Sequence, residues 1–328
     1  MMADRAWKAA WRSAWGAVAL LLLLPAASET AAAREAQVFV YRGAGCTGAG
    51  RMAAFEKMLG RPADGVTEFT ELTDWSHMLS SVNWALGCWA GKPYRLSQSV
   101  PMLMGNGSGT TLEKGAAGEY DEHFVALGKL LVAKGYPDAY LRIGWEFNGG
   151  WYPWAAEKNP EAFKAYFRRI VKAFRSVPGQ KFRIVWNPAQ GWLHIPADKA
   201  YPGDDVVDIV ALDLYNQSWN PADKDPQVRW RNLVSQPYGL NWLRDFAAKH
   251  HKPIALPEWA TGTRPDGHGY GDDPLFIDNM AAWIKANDVV YHTYWDYNAG
   301  DFNGELSSGR MPLSEAAFRR DFATGAAR

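Results

Sequence analysis

Eight short runs rich in β-branched and aromatic residues recur along this chain, and nearly every one is followed by a longer amphipathic stretch. The runs are "QVFVYRG" (37–43), "GVTEFTEL" (65–72), "LSQSVPMLMG" (96–105), "AYLRIGWEFN" (139–148), "KFRIVWNP" (181–188), "VDIVALDLYN" (207–216), "KPIALPEWA" (252–260) and "VVYHTYWDYN" (289–298). Helical patterns lie between them. "EYDEHFVALGKLLVAKG" spaces Phe124, Leu127, Leu130 and Leu131 on one stripe and stops at Gly135. "PEAFKAYFRRIVKAFRSV" opens on proline and carries Phe163, Phe167, Ile170 and Phe174 on one face. "NWLRDFAAKH" and "PLFIDNMAAWIKAN" precede the last two strands.

Strands separated by helices pair in parallel, because a crossover of helical length is what parallel neighbours require. Eight repeats in about 290 residues therefore predict an α/β fold, a (β/α)8 barrel in a single domain. A doubly wound open sheet is the alternative. The strand count weakens it, as does the lack of a phosphate-binding glycine pattern after the first strand. "GAGCTGAG" (43–50) fits neither G-x-G-x-x-G nor the lysine-bearing loop and reads as a flexible first βα loop. "GNGSGTTLEKGAAGEY" (105–120) reads as a second long loop at the same end.

Residues 1–33 have the pattern of an export signal: basic Arg5, Lys8 and Arg12, an apolar stretch from Ala17 to Ala27, and Ala31–Ala33 as a small-residue cleavage site. An uncleaved anchor is the competing reading. The catalytic domain is then 34–328 and the protein is secreted or periplasmic. Cys46 and Cys88 could pair in such a compartment or remain two buried thiols. Lysine plus arginine balance aspartate plus glutamate at 35 each, so no net field favours nucleic acid or an anionic membrane. Seventeen tryptophans favour a carbohydrate partner, since indoles stack on the apolar faces of sugars as well as filling cores.

A barrel of this type presents its chemistry at the C-terminal ends of its strands. Those ends carry Arg42, Glu68, Glu71, Glu146, Asn187, Asp213, Tyr215, Glu258, Trp295 and Asp296. Glu146, ending the fourth strand, and Glu258, ending the seventh, each follow an apolar run and stand beside tryptophan: Trp145 and Trp259. A strand-end glutamate is often a salt-bridge partner or a helix cap. Two of them facing one cleft fit the pair of carboxyl groups that glycoside hydrolysis requires. Trp151, Tyr152 and Trp154 read as either loop core or a sugar platform, the glycines and Pro153 favouring the platform.

At these residues the sequence resembles the retaining glycoside hydrolases of clan A, and most closely family 26. "RIGWEFNGGWYPW" is similar to that family's fourth-strand signature, which implies Glu146 as acid/base. "KPIALPEWA" resembles its seventh-strand segment, implying Glu258 as nucleophile. "VDIVALDLYN" is similar to the sixth strand, implying that Tyr215 hydrogen-bonds the nucleophile, and Trp295 corresponds to the eighth-strand tryptophan beneath the reacting sugar. One position departs from the pattern: family 26 mannanases carry histidine just before the acid/base and clan relatives carry asparagine, whereas this chain has Trp145. β-Mannan, mixed-linkage β-glucan, β-1,3-xylan and a bacterial exopolysaccharide all stay open as substrates.

The expectation is double displacement by Glu258 and Glu146. Trp145, Asn148, Trp151, Trp154, Asn187, Asp213, Tyr215, Trp259 and Trp295 are the candidate substrate-binding residues. Asp213 reads equally well as an orienting group, and Arg142 as a buried partner for a site carboxylate. His194 and His292 have no ligand spacing and read as structural. No metal or organic cofactor is implied. The partner is a polysaccharide, not nucleic acid or membrane, and the protein is expected to be a monomer. An inactive polysaccharide-binding barrel and a transglycosylase are the rival functions. A serine hydrolase is disfavoured, since no G-x-S-x-G elbow is present.

Overall fold

A computed structural model describes residues 35–105 and 107–323; the proposed leader lies outside them. Eight parallel strands close into a barrel in sequence order: β1 (Gln37–Tyr41), β2 (Gly65–Phe69), β3 (Arg95–Val100), β4 (Tyr140–Ile143), β5 (Arg183–Trp186), β6 (Ile209–Tyr215), β7 (Ile254–Ala260) and β8 (Val289–Trp295). The eight strands expected from periodicity are all present, and the barrel reading holds over the open sheet. Every strand but β7 ends earlier than its apolar run. β4 stops at Ile143, so Glu146 stands three residues beyond it on a turn rather than at the strand's tip.

Among the described residues the α-helices are α1 (Gly45–Leu59), α2 (Trp75–Trp89), α3 (Leu112–Ala117), α4 (Asp121–Ala133), α5 (Pro160–Arg175), α6 (Pro226–Ser235), α7 (Leu240–Lys249), α8 (Pro274–Ala286) and α9 (Pro312–Phe322). Two expected loops are partly helical. "GAGCTGAG" enters α1 at Gly45, because α1 packs on α2 across Cys46–Cys88, which are disulfide-bonded. Thr111 caps α3 by accepting the Lys114 amide, which converts part of 105–120 into helix. α5 follows its sequence signals: Asn159 caps it, Pro160 occupies its first turn, and Phe163, Phe167, Ile170 and Phe174 are buried.

Inside the barrel the side chains form layers. Phe39, Tyr140 and Tyr291 plug one level, the two tyrosine rings stacked 4.4 Å apart. Thr67 and Thr293 hydrogen-bond across the next at 2.9 Å. The two-residue period of a strand then sends Arg142, Asp213, Tyr215 and Trp295 to the same interior, one level nearer the C-terminal mouth. The same parity turns Glu68 outward. Its carboxylate lies beneath α1 and α2, accepting the Gly45 amide and the Trp89 indole N–H, and burial pushes it up to about 7. It is therefore not a group of the barrel mouth.

Candidate active site

β4 leaves the barrel through Gly144, which has a φ of +56° and lies so close to Met102 that a Cβ would stand 2.4 Å from its sulfur. Two residues on, Glu146 itself has a φ of +53°. A left-handed non-glycine residue costs about 1–3 kcal/mol and persists where the surroundings enforce it. Here the Glu146 amide donates to the Asn187 carbonyl at 2.7 Å, tying the turn to the end of β5. Asn148 completes the tie: its side chain pairs in both directions with the Ala189 backbone, each bond 2.8 Å. Gly149 leaves room for the Trp151 indole to fold back, and that indole donates to Glu146 Oε2 at 2.8 Å. Burial, then the charge of Glu258, pushes Glu146 up to about 8.

Glu258 arrives differently. Pro257 lies within β7, and the register with β8 slips between Leu256 and Trp259. Such an irregularity re-aims a side chain beside a site. Glu258 Oε1 accepts from Arg142 at 2.7 Å, and Oε2 accepts from the Tyr215 hydroxyl at 2.6 Å. Arg142 is fully buried and also donates to Asp213, Asn187 and Ser99 at 2.7–2.9 Å. Burial disfavours its charge, but Asp213 and Glu258 outweigh that and raise its pKa. Burial raises Asp213 as well, against the pull of Arg142. The two glutamates thus share one mouth in unlike settings: Glu258 fixed by a cation and a hydroxyl, Glu146 part-buried and bonded by the Trp151 indole.

The expected substrate-binding residues separate on this geometry. Trp295, part-buried, stacks on Tyr41 at 4.4 Å and meets the Tyr215 ring edge-on at 6.4 Å. Trp151 is 53% exposed and touches Glu146. These two present rings to the mouth. Asn187 and Asp213 are buried and act through Arg142, so Asp213 is an orienting group in this arrangement. Asn148 is occupied by backbone and is a positioning residue. Trp145, Trp154 and Trp259 depart from expectation, because each is 2% exposed or less. Trp154 donates to the Trp145 carbonyl from beneath the loop. Trp259 points away from the mouth, donates to His292 and packs on Phe276, Phe318 and Phe322, since residues adjacent to Glu258 take the opposite face of β7.

Trp145 donates to the Tyr152 hydroxyl at 2.9 Å. In sequence Tyr152 reads with Trp151 and Trp154 as loop core or sugar platform, without a role of its own. Its pKa is raised by burial and then by the charges of Glu146 and Glu258. Tyr41 was missed; only its register opposite Trp295 reveals it. Arg42 and Asp296, both expected at strand ends, form a buried ion pair that anchors the β8 loop through Leu306 and Ser307. His292 is buried with its pKa lowered to about 3, and His194 pairs with Glu157, consistent with structural roles.

The β4 and β7 ends of this (β/α)8 barrel thus bring together a carboxyl pair, one of them held by arginine and tyrosine. Residues 133–243 match the model of glycosyl hydrolase family 26. Endoglucanase H of Acetivibrio thermocellus is 29% identical over 161 residues, 44% of this chain and 16% of that protein. A β-1,3-xylanase of an Alcaligenes species is 24% identical over 200 residues, 59% of this chain and 38% of that one. The chain thus spans well under half the length of these relatives. An endo-β-1,4-mannanase double mutant of Cellulomonas fimi shares the fold with a TM-score of 0.64 at 18% identity, over 88% of this chain and 72% of that one. The catalytic domain of the family 26 mannanase of Bacillus sp. JAMB-750 does so at 0.62 and 16%, over 90% and 88%.

Proposed function

We propose that this protein is a secreted, retaining β-glycoside hydrolase that cleaves a polysaccharide internally, with Glu258 as nucleophile and Glu146 as acid/base. The observation that carries the reading is the opposite environment of the two carboxyl groups. Glu258 has both oxygens hydrogen-bonded, one by Arg142 and one by Tyr215, which fixes it for attack on the anomeric carbon. Glu146 is pushed up to about 8, so at neutral pH it carries the proton that the leaving oxygen needs. Once that proton has been given up, the Glu146 carboxylate takes one from water, and the hydroxide equivalent releases the sugar from Glu258 with net retention. Trp295 over Tyr41 provides the ring on which the reacting sugar rests. The Cys46–Cys88 disulfide supports an oxidising compartment and, with it, removal of residues 1–33 on export to leave 34–328.

The test is release of reducing sugar from β-mannan, mixed-linkage β-glucan, β-1,3-xylan and the host's own exopolysaccharide, with Glu258→Ala as the control. Release from one polymer that vanishes in the variant supports the reading and names the sugar. Release that persists in Glu258→Ala removes Glu258 as nucleophile. Product analysis with an added acceptor sugar separates hydrolysis from transglycosylation.

A further inference from the structure

Five large apolar side chains are strongly exposed among the described residues, and three are tryptophans in successive loops at the C-terminal mouth: Trp151 after β4, Trp192 after β5 and Trp219 after β6. Trp192 is 66% exposed and Trp219 57%. Leaving an indole in water forgoes much of the stabilisation its burial would bring, so a surface indole held in place without burial points to a ligand. Both are held. The Trp192 ring lies 5.7 Å from Tyr238, and the neighbouring Gly191 amide donates to the Tyr238 carbonyl. Trp219 lies between His268, at 5.2 Å, and Arg264, at 5.2 Å; the Ser218 amide donates to the His268 carbonyl. Neither belongs to the packing of a helix, unlike Trp84 of α2 and Leu313 of α9, the other two exposed side chains.

The closed strand order determines what they face. A line from β4 to β7, through the loop of Glu146 and through Glu258, divides the mouth. β8 and β1, with Trp295 and Tyr41, lie on one side; β5 and β6 lie on the other. A polymer whose scissile bond sits between the carboxyl groups must cross that line. We infer that Trp192 and Trp219 form a preformed platform for the leaving-group half of a polysaccharide, and so determine preference for long chains. This rests on the glycosidase reading, in which Trp295 lies beneath the sugar that bonds to Glu258. The ligand chemistry is a run of uncharged pyranose rings with apolar faces.

The experiment compares Trp192→Ala, Trp219→Ala and their double variant on two substrates of one sugar: the polymer that the wild type cleaves, and an aryl oligosaccharide whose leaving group is a single nitrophenyl ring. Each lost indole is expected to lower the ratio of polymer to aryl kcat/KM by about three- to tenfold, with the change in KM. Trp→Phe at each site is expected to recover part of it. Equal falls on both substrates, or no fall on the polymer, overturn the platform. Affinity electrophoresis in gels holding β-mannan, mixed-linkage β-glucan or β-1,3-xylan reads it without turnover. Retardation of wild type that is relieved in the double variant supports the platform even where no sugar is released, an outcome that sinks the hydrolase reading alone. Retardation unchanged by the substitutions overturns the platform.

Discussion

Glu146→Gln should stabilise this protein by an amount that grows as pH rises above about 4.5 and levels off above about 8. An unfolded chain ionises the residue near 4.5, whereas the fold holds its proton up to about 8. Folding is therefore penalised progressively as pH rises between those values, and the penalty is constant above them. At about 1.4 kcal/mol per pH unit the gap sets an upper bound of about 5 kcal/mol. The carboxyl is partly open to solvent and Trp151 donates to its charged form, which reduces the figure to about 2–3 kcal/mol. Glutamine keeps the shape and can still accept from Trp151, but never ionises. Urea unfolding at pH 5, 7 and 9 should give a variant nearly matched to wild type at pH 5 and about 2–3 kcal/mol more stable at pH 9. An offset independent of pH, or a variant less stable at pH 9, would refute the claim that burial and Glu258 hold the proton on Glu146. The same proton predicts that wild-type kcat/KM falls above about pH 8, and that this limb disappears in the variant along with nearly all turnover of unactivated substrate.

Arg142→Met leaves Asp213 and Glu258 buried without their cation, so it is expected to cost about 3–5 kcal/mol in urea unfolding at pH 7. Adding Asp213→Asn should recover part of that; simple additivity of the two losses would mean that Arg142 does not neutralise Asp213. The Cys46→Ser/Cys88→Ser pair opens a link spanning 42 residues, which chain entropy values at about 4 kcal/mol at most. The expected result is a lower thermal midpoint that reducing agent reproduces in wild type; an unchanged midpoint would show that the helix contacts suffice without the bond.

The division between legible and hidden follows from which interactions are local. Periodicity along the chain is local. It announced eight strands, the buried stripe of α5 and the presence of carboxyl groups where strands end, because burial of one face is written into neighbouring residues. Arg142, in mid-strand, could be recognised as a buried cation for the same reason. Glu146 and Glu258 could be paired because a barrel always presents β4 and β7 at one mouth. Which way a side chain points at a strand end is another matter, since a single irregularity inverts it. The slip at Pro257 aims Glu258 inward and Trp259 into the helices, and strand parity hides Glu68 beneath α1 and α2. In the loop after β4, Trp151 is exposed and bonded to Glu146 whereas Trp145 and Trp154 are buried, a difference that composition does not reveal. The sequence by itself determined the barrel and the two carboxylates at its mouth. Only the tertiary structure decided which indoles face the mouth, that Tyr41 lies under Trp295, and that one glutamate keeps its proton while the other is held by Arg142. Those are properties of neighbours distant in the chain, set by the closure of the barrel rather than by any stretch of residues.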